Sequence, residues 1–166
     1  IDVNILSDSW RGIQLQERVG EEWGAIYGRA YQRDADGNIL LSSTGAPRYD
    51  TNQFLGNVLP DFTGGLSNNI RYKNFNLGFD IDFQKGGKVF SVTRMFNNYS
   101  GLGIETVGNN NFGNPVRDAT ADGGGVLIEG VDETTGAPAS FNVNAPTYWG
   151  RLFALHERWL YDASYI

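Results

Sequence analysis

The clearest pattern in this sequence is Phe75-Asn76-Leu77-Gly78-Phe79-Asp80-Ile81-Asp82-Phe83, in which every odd position is a large apolar residue and every even position is Asn, Gly or Asp. A period of two residues predicts a β-strand. One face of this strand is entirely apolar, whereas the other carries two carboxylates and an amide. Such a strand is not buried on both sides. We therefore expect an apolar environment on one face and water on the other.

A second alternating run lies directly upstream. Its large apolar residues take even positions, where Phe62, Leu66, Ile70 and Tyr72 stand against Thr63, Ser67, Asn69 and Arg71 at odd positions. Lys73-Asn74 separates the two runs, and a two-residue connection between alternating runs predicts a β-hairpin. Because the apolar parity switches across this turn, both apolar sets are expected on the same face of the hairpin.

Two interpretations of this hairpin stay open at this point. An ordinary half-buried antiparallel sheet shows the same alternation. A tilted strand that crosses a bilayer needs ~9–11 residues and often has aromatic residues at both ends. The run 75–83 has this length and carries Phe at each end.

Composition limits the class of protein. At 166 residues the chain allows one domain, and its 40% hydrophobic and 13% aromatic content excludes a disordered chain. The 22 glycines and a mean hydropathy of −0.35 favour an all-β fold with large loops. A net charge of −6 with scattered basic residues makes nucleic acid an unsuitable partner. Without cysteine there is neither a disulfide nor a thiolate metal site.

The ends of the chain suggest a piece of a longer protein. The sequence begins at Ile1 without Met, and Tyr161 to Ile166 has the pattern of an extended segment that is only beginning. No apolar run approaches the ~20 residues of a membrane helix, which leaves membrane β-strands open.

Before the hairpin, the sequence predicts short extended segments. We expect a strand over 11–18, and a small hairpin in which 20–33 and 39–41 flank the Asp34–Asn38 turn, because Asp36-Gly37 is a strong turn signal. The same residues lack the further ligands of a calcium loop, so we interpret them as a turn. Residues 45–62 lack periodicity and contain two prolines, which predicts a loop.

After the hairpin, the period changes. Apolar residues from Val89 to Tyr99 have helical spacing, which we favour over a return strand at 89–94. Residues 97–125 are polar and irregular, and 126–131 with 138–143 predict another small hairpin. Tyr148, Leu152, Leu155 and Trp159 predict one face of a helix.

The sequence gives little support for catalysis. His156 is the only histidine, and we expect it to be a packed side chain because no second His and no Cys could complete a site. Asp80 and Asp82 lie two positions apart on one strand face, roughly 7 Å at the backbone, which does not forbid a glycosidase pair. Acidic residues on a wet strand face are ordinary, so we assign no catalytic residue, no metal and no cofactor.

Several blocks of sequence occur together in a characteristic order. They are Gly24-Ala25-Ile26-Tyr27-Gly28, Tyr31-x-Arg33-Asp34-x-x-Gly37, Gly56-Asn57-x-x-Pro60-Asp61-Phe62-x-Gly64-Gly65-Leu66, Tyr72-Lys73-Asn74-Phe75, Gly86-Gly87 and Tyr161-Asp162-Ala163-Ser164-Tyr165-Ile166. From about Val19 to Ile166 the chain resembles the C-terminal part of the barrel of SusC/RagA-type TonB-linked outer-membrane transporters. Residues 1–18 match no block of that family.

The resemblance implies a large antiparallel transmembrane β-barrel in the outer membrane of a Gram-negative bacterium. It also implies a SusD-like surface lipoprotein over the extracellular mouth, energy from TonB, and oligosaccharide or peptide as cargo. The plug and the TonB-contacting N-terminal region have no counterpart here, so we expect a barrel segment truncated at both ends.

The resemblance also implies a topology. Barrels of this kind have short periplasmic turns and long extracellular loops, which places Lys73-Asn74 in the periplasm. Residues 62–84 are then the membrane hairpin, 19–61 and 85–160 are extracellular loops, and 161–166 begin the next strand. Asp80, Asp82 and Gln84 are expected to face the lumen, and the residues expected to face lipid are Phe75, Leu77, Phe79, Ile81 and Phe83.

Cargo contacts are expected among aromatic and amide side chains of the second loop, because rings stack on sugars and amides bond hydroxyl or peptide groups. The candidates are Tyr99, Asn109, Asn110 and Trp149, although each could instead pack within the loop. An alternative function is a soluble secreted β-rich carbohydrate-binding module that stacks sugars on Trp10, Trp23, Trp149 or Trp159. A third is a hydrolase that uses Asp80 and Asp82.

Overall fold

The computed structural model describes the backbone of residues 3–8 and all of residues 12–166. Strands dominate, which confirms the predicted all-β class. The strands are β1 Val3–Asp8, β2 Ile13–Glu17, β3 Ala25–Tyr31, β4 Leu40–Leu41, β5 Tyr49–Asn57, β6 Pro60–Tyr72, β7 Phe75–Gly86, β8 Lys88–Phe90, β9 Val126–Asp132, β10 Pro138–Val143 and β11 Leu160–Asp162. The helices are α1 Val92–Tyr99 and α2 Ala145–Phe153, with 3-10 turns at Ile104–Thr106, Thr120–Asp122 and His156–Trp159.

These strands form four small sheets. β1, β2, β3 and β5 make one antiparallel sheet in that order, and β6 and β7 form a two-stranded sheet. β9 pairs antiparallel with β10 and parallel with the short β4, while β11 pairs with β8. Within the described residues, no helix is both long and apolar enough to span a membrane.

The predicted hairpin is confirmed as β6 and β7. Tyr72 lies opposite Phe75, and the pairing continues without a slip until a bulge between Pro60 and Phe62. Lys73, the first residue of the two-residue turn, has a φ of 51°, a positive value such as tight hairpin turns require. The hairpin is slightly longer than the predicted range 62–84, since β6 begins at Pro60 and β7 ends at Gly86.

The strand predicted over 11–18 is present as β2, and the small hairpin around Asp34 is also confirmed. Arg33 pairs with Ile39, and the Asp34 carboxylate accepts hydrogen bonds from the backbone N–H groups of Asp36 and Asn38. This carboxylate is therefore engaged in closing the turn. Beyond the turn, Leu40 of β4 donates its N–H to the Gln32 carbonyl of the first arm, and β4 also pairs with β9.

The prediction of a loop over 45–62 is wrong. Tyr49–Asn57 forms β5, which pairs with β3. The strand shows no apolar alternation because most of its side chains are exposed, and irregularities near Asn52 and Gly56, which have φ values of 55° and 133°, interrupt its register. Its partner strand lies earlier in the chain, so no local pattern marks it.

The predicted helix after the hairpin is present as α1, although Val89 belongs to the short β8 that precedes it. The Ser91 hydroxyl caps this helix by accepting from the Arg94 N–H. The helix predicted through Trp159 is too long, because α2 ends at Phe153. Leu155 is extended and a separate 3-10 turn follows it.

The main core lies where α1, α2 and the last 3-10 turn meet. Its buried residues are Met95, Ala145, Trp149, Leu152, Leu155 and Trp159. A smaller core packs Leu41 against Ile128 and Val143 of the predicted hairpin β9–β10, which is confirmed. We call residues 88–162, together with the strands β3 and β4 that contact them, the packed body.

Candidate functional site

The hairpin β6–β7 carries two chemically distinct faces. Because residues directly opposite in an antiparallel pair share a face, the pairs Leu66–Ile81 and Ile70–Leu77 lie on one side, as predicted from the parity switch. Ser67–Asp80 and Arg71–Asn76 lie on the other. The apolar face also contains Phe62, Tyr72, Phe75, Phe79 and Phe83, interrupted by Gly64 and Asn68.

The apolar face is open along its length. Phe75 is 79% exposed and Leu77 61%, and even Phe79 near the middle is 39% exposed. No second layer within the described residues covers these side chains, which in a two-layer sheet would be the core. The hairpin thus presents an apolar surface without a protein partner in this part of the chain.

The ring of Phe83 packs over Gly64 on the apolar face. A Cβ at Gly64 would lie 2.5 Å from Phe83 Cζ, so the glycine leaves the space that the ring occupies. Phe62 contacts the same ring edge to face, with the centroids 6.1 Å apart. An aromatic cluster therefore closes the end of the hairpin that is remote from the turn, while Tyr72 and Phe75 lie at the other end.

The polar face holds the acidic residues. Asp80 accepts a hydrogen bond from the Ser67 hydroxyl across the strands, and Asp82 lies beside Gly65. Both carboxylates are exposed. Gln84 lies on the same face, and its side-chain amide donates to the Ala163 carbonyl at 3.0 Å.

The edge of β7 that faces away from β6 is paired at one residue. Gln84 and Tyr165 exchange both backbone hydrogen bonds, each at 3.0 Å, although Gln84 also lies opposite Thr63 of β6. In an antiparallel sheet such a residue directs its N–H and C=O away from one neighbour and toward the other. The extended segment predicted at 161–166 thus consists of β11 and this single further pair with β7.

A cleft of about 430 Å³ opens in the packed body between the end of α1 and the start of α2. Of the predicted cargo contacts, it brings together Tyr99 and Trp149. Tyr99 is 55% exposed and its ring packs on Phe153, with centroids 4.7 Å apart. Trp149 is only 5% exposed. One of the two rings is therefore accessible, and the other belongs to the core and lines the cleft.

Asn109 and Asn110 do not line this cleft. The Asn110 side-chain oxygen accepts from the N–H groups of Phe112 and Asn114, and its amide donates to the Gly123 carbonyl at 2.8 Å. Its polar atoms are therefore engaged in folding the 108–123 segment. Asn109 is exposed, and its backbone pairs with Pro115.

Arg117 is a cleft residue that sequence reasoning missed. Its Nε donates to the Thr106 carbonyl at 3.0 Å, and its Nη2 donates to the Thr106 hydroxyl at 2.8 Å and to the Gly101 carbonyl. Thr106 is buried and its hydroxyl donates to the Gly103 carbonyl. One signal was present in the sequence, because Arg117 is the only basic residue between 97 and 125.

Glu105 ties the cleft wall to the rest of the packed body. It forms ion pairs with Arg94 of α1 and with Arg158 of the last 3-10 turn, the latter at 2.9 Å. Its Oε2 also accepts from the Asn98 side chain at 2.8 Å. This carboxylate therefore fixes the 3-10 turn at 104–106 against two other elements.

His156 has the packed role expected from the sequence. It is buried, and its Nδ1 accepts from the Arg29 N–H of β3 at 2.9 Å. The absence of a side chain at Gly28 permits this contact, since a Cβ there would lie 2.7 Å from His156 Nδ1. The next residue, Glu157, accepts from the Tyr31 N–H and pairs with Arg33 at 2.9 Å. The 3-10 turn is thereby held on β3.

Burial also raises the pKa values of two tyrosines of the packed body. Desolvation, with a smaller contribution from Tyr148, raises the pKa of Tyr31 to about 12. Burial likewise raises the pKa of the Tyr148 phenol. Neither hydroxyl ionises near neutral pH, so both behave as neutral hydrogen-bonding groups.

The structure bears on the alternative functions. Trp159 is fully buried and donates its indole N–H to the Leu152 carbonyl, and Trp149 is core, so neither presents a free face for sugar stacking. Trp23 is 63% exposed, and Trp10 lies outside the described residues. Among the described residues, no cluster of His, Cys, Asp or Glu could hold a metal ion.

Comparison with known proteins gives one informative similarity. No protein-family model matches the chain. The chain is similar to TonB-dependent receptor P3 of Formosa agariphila, with 23% identity over 169 residues. The alignment covers 90% of this chain but only 14% of the relative. This similarity supports a segment of a TonB-dependent receptor and agrees with the all-β fold.

Proposed function

We propose that this chain is part of the barrel of an outer-membrane transporter that imports oligosaccharides or peptides with energy from TonB. The observation that carries the proposal is the hairpin β6–β7, whose apolar face is exposed along most of its length, with only the Phe83 side chain half-buried. The similarity to a TonB-dependent receptor supports membrane lipid as the surrounding of that face. In this assignment Phe75, Leu77, Phe79, Ile81 and Phe83 face lipid, while Asp80, Asp82 and Gln84 face the lumen.

Transfer energetics support a lipid environment. Removing a large apolar side chain from water contributes about 1.5–3 kcal/mol. The exposed residues of this face are Phe62, Leu66, Ile70, Tyr72, Phe75, Leu77, Phe79 and Ile81. Together they favour a nonpolar surrounding by on the order of 10 kcal/mol. A folded chain that left this face in water would forgo that stabilisation.

The dimensions agree with the same environment. Along β7, from Phe75 at the turn to Phe83 at the far end, the apolar face is roughly 27 Å long at ~3.4 Å per residue. A strand tilt of ~35–45° reduces its height to roughly 20 Å, close to the ~25 Å apolar band of outer-membrane barrels. Aromatic residues mark both ends, as the girdles of such barrels do.

The proposed topology places the Lys73-Asn74 turn in the periplasm and the packed body outside the cell. A two-residue turn at one end of the hairpin and more than 70 residues of folded chain at the other match the short periplasmic and long extracellular connections of these barrels. Residues 19–61 and 85–160 then meet cargo, and Tyr165 begins the neighbouring strand on β7.

The partner assignments follow the family resemblance. A SusD-like surface lipoprotein covers the extracellular mouth, and TonB acts through an N-terminal region outside this sequence. The chain itself contributes part of the barrel wall and part of the extracellular surface. It has no enzymatic role in this proposal.

The test is the fractionation and heat-modifiability of the native protein that contains this sequence. We expect it in the outer-membrane fraction as a detergent-extracted band several times heavier than 18.3 kDa that shifts on boiling. A soluble protein of 18.3 kDa without a shift would overturn the proposal and favour the carbohydrate-binding module.

A further inference from the structure

We propose that the cleft between α1 and α2 binds a carboxylate group of the cargo, with Arg117 as the anion contact. The cargo role rests on the proposed function, whereas recognition of a carboxylate rests on the cleft itself. Arg117, Trp149, Tyr99 and the start of α2 all line this cleft.

Arg117 carries a charge that no carboxylate neutralises within the described part of the chain. The arginines that form ion pairs there are Arg33, Arg48, Arg94 and Arg158, each with a glutamate. The donors of Arg117 that are engaged bind neutral oxygens of Gly101 and Thr106, and its Nη1 has no acceptor among the described residues. The guanidinium is therefore held in place with one end available for an anion.

The start of α2 adds a second positive contribution. Asn144 precedes this helix, but its side-chain oxygen accepts from the Thr120 N–H at 2.9 Å and does not cap α2. The N-terminal residues Ala145 and Pro146 line the cleft. Pro146 has no N–H, so the first N–H groups of α2 are those of Ala145 and Thr147. Because such groups carry a partial positive charge, this uncapped end favours an anion on the same side as Arg117.

Trp149 supplies an unpartnered donor. Its side chain is 5% exposed, and its indole N–H has no hydrogen-bond acceptor among the described residues. A buried donor without an acceptor is destabilising. The nitrogen itself has almost no accessible surface, so an oxygen of a bound ligand would satisfy it after a side-chain adjustment at the cleft wall. Tyr99 adds an exposed ring at the cleft, on which the apolar face of a sugar or a side chain can stack.

Two kinds of cargo present a carboxylate next to a stackable group. One is an acidic oligosaccharide, in which each uronic acid carries a carboxylate on its ring. The other is a peptide, through its C-terminus. The chemistry that the cleft recognises is the same, so the experiment compares each acidic probe with a neutral partner of nearly equal size.

The test measures binding to the full-length protein in detergent by titration calorimetry. The probes are a trigalacturonate and its methyl ester, and N-acetyl-trialanine and its C-terminal amide. We expect one acidic probe to bind at least about tenfold more tightly than its neutral partner, as a charged hydrogen bond provides. The pair that shows this difference identifies the source of the carboxylate. Equal affinities within both pairs would overturn the inference.

Variants then locate the site. Arg117→Gln should remove most of the preference for the acidic probe, whereas Arg151→Gln, whose guanidinium donates to the Thr44 carbonyl outside the cleft, should preserve it. Because Arg117 also holds the 101–106 segment, its replacement could disturb that segment. Trp149→Phe is a second test that leaves the hydrogen bonds of Arg117 intact. It should weaken acidic-probe binding several-fold. Unchanged affinity in both cleft variants would overturn the assignment.

The two proposals fail in different ways. A heat-modifiable barrel that binds acidic and neutral probes equally overturns only the carboxylate site. A soluble protein that still prefers the acidic probe overturns transport and leaves the cleft assignment standing.

Discussion

The hairpin β6–β7 and the packed body contain similar apolar side chains but place them in opposite environments. In the packed body Met95, Leu155 and Trp159 are fully or almost fully buried, whereas Phe75 and Leu77 of the hairpin are mostly exposed. The packed body supplies its own core from distant parts of the chain. The hairpin relies on a surrounding that these residues do not provide. The two regions therefore differ in how their apolar side chains are covered: the packed body buries them in its own core, and the hairpin leaves them open within the described residues.

The largest expected effect is in the packed body. Trp159→Ala removes a fully buried indole and its hydrogen bond to Leu152, and should cost about 3–5 kcal/mol of local stability. Hydrogen exchange of β9, β10 and α2 in the assembled protein measures this loss. Trp23→Ala, at a 63% exposed position, is the matched control and should change stability by less than about 0.5 kcal/mol. Equal losses of stability in Trp159→Ala and Trp23→Ala would contradict the assignment of Trp159 to the core and Trp23 to the surface.

The next effect belongs to the hairpin. Phe79→Lys should impair membrane insertion by about 2–4 kcal/mol if the residue lies near the bilayer midplane. Asp80→Asn, one residue away on the polar face, should leave insertion intact. The amount of heat-modifiable protein in the outer membrane measures both. Assembly of Phe79→Lys at the wild-type level would contradict the lipid-facing assignment.

Alkaline pH should destabilise the packed body. Because burial raises the pKa of Tyr31 from 10.0 to about 12, its neutral form contributes stability that is complete below pH 10 and lost as the pH rises through 12. A shift of this size corresponds to about 2–3 kcal/mol. Tyr31→Phe should flatten this loss in an alkaline unfolding series followed by hydrogen exchange. A variant that loses stability as steeply as wild type would show that another group is responsible.

The smallest expected effects come from two glycines of the packed body. Gly28→Ala would place a Cβ 2.7 Å from His156 and 2.8 Å from Leu55, so it should cost about 1–3 kcal/mol by overpacking. Gly150→Ala, within α2 and with nothing within 4 Å, should stabilise the helix by about 0.5–1 kcal/mol. Thermal unfolding monitored by exchange compares the two. If Gly28→Ala stabilised the protein as Gly150→Ala is expected to do, the close contact between Gly28 and His156 would be contradicted.

Sequence patterns predicted the parts of the fold whose information is local. The hairpin was predictable because its alternation and its turn lie within 25 residues, from 62 to 86, and its partners are adjacent in the chain. β5 was missed because it is mostly exposed and pairs with β3 across an intervening turn and strand. The end of α2 was missed because Leu155 and Trp159 continue the apolar spacing after the backbone has left the helix.

The residues that line the cleft were likewise only partly predictable from local sequence patterns. Aromatic and amide composition predicted Tyr99 and Trp149, and these two residues meet because α1 packs against α2. Nothing in the spacing distinguished them from Asn109, which lies outside the cleft, or indicated Arg117. Which side chains converge depends on the folding of the 100–123 segment onto both helices, and no repeated pattern in the sequence records it.

The pairing of Gln84 with Tyr165 shows which backbone groups of β7 point away from β6. Alternate residues of β7, such as Asp82 and Asp80, direct their backbone donors and acceptors outward along a flat edge. Unprotected edges of this kind recruit further strands from any nearby copy. In water, an edge of this kind is therefore expected to favour intermolecular aggregation through the same backbone groups that pair Gln84 with Tyr165. A neighbouring strand that covered the rest of the edge would prevent it.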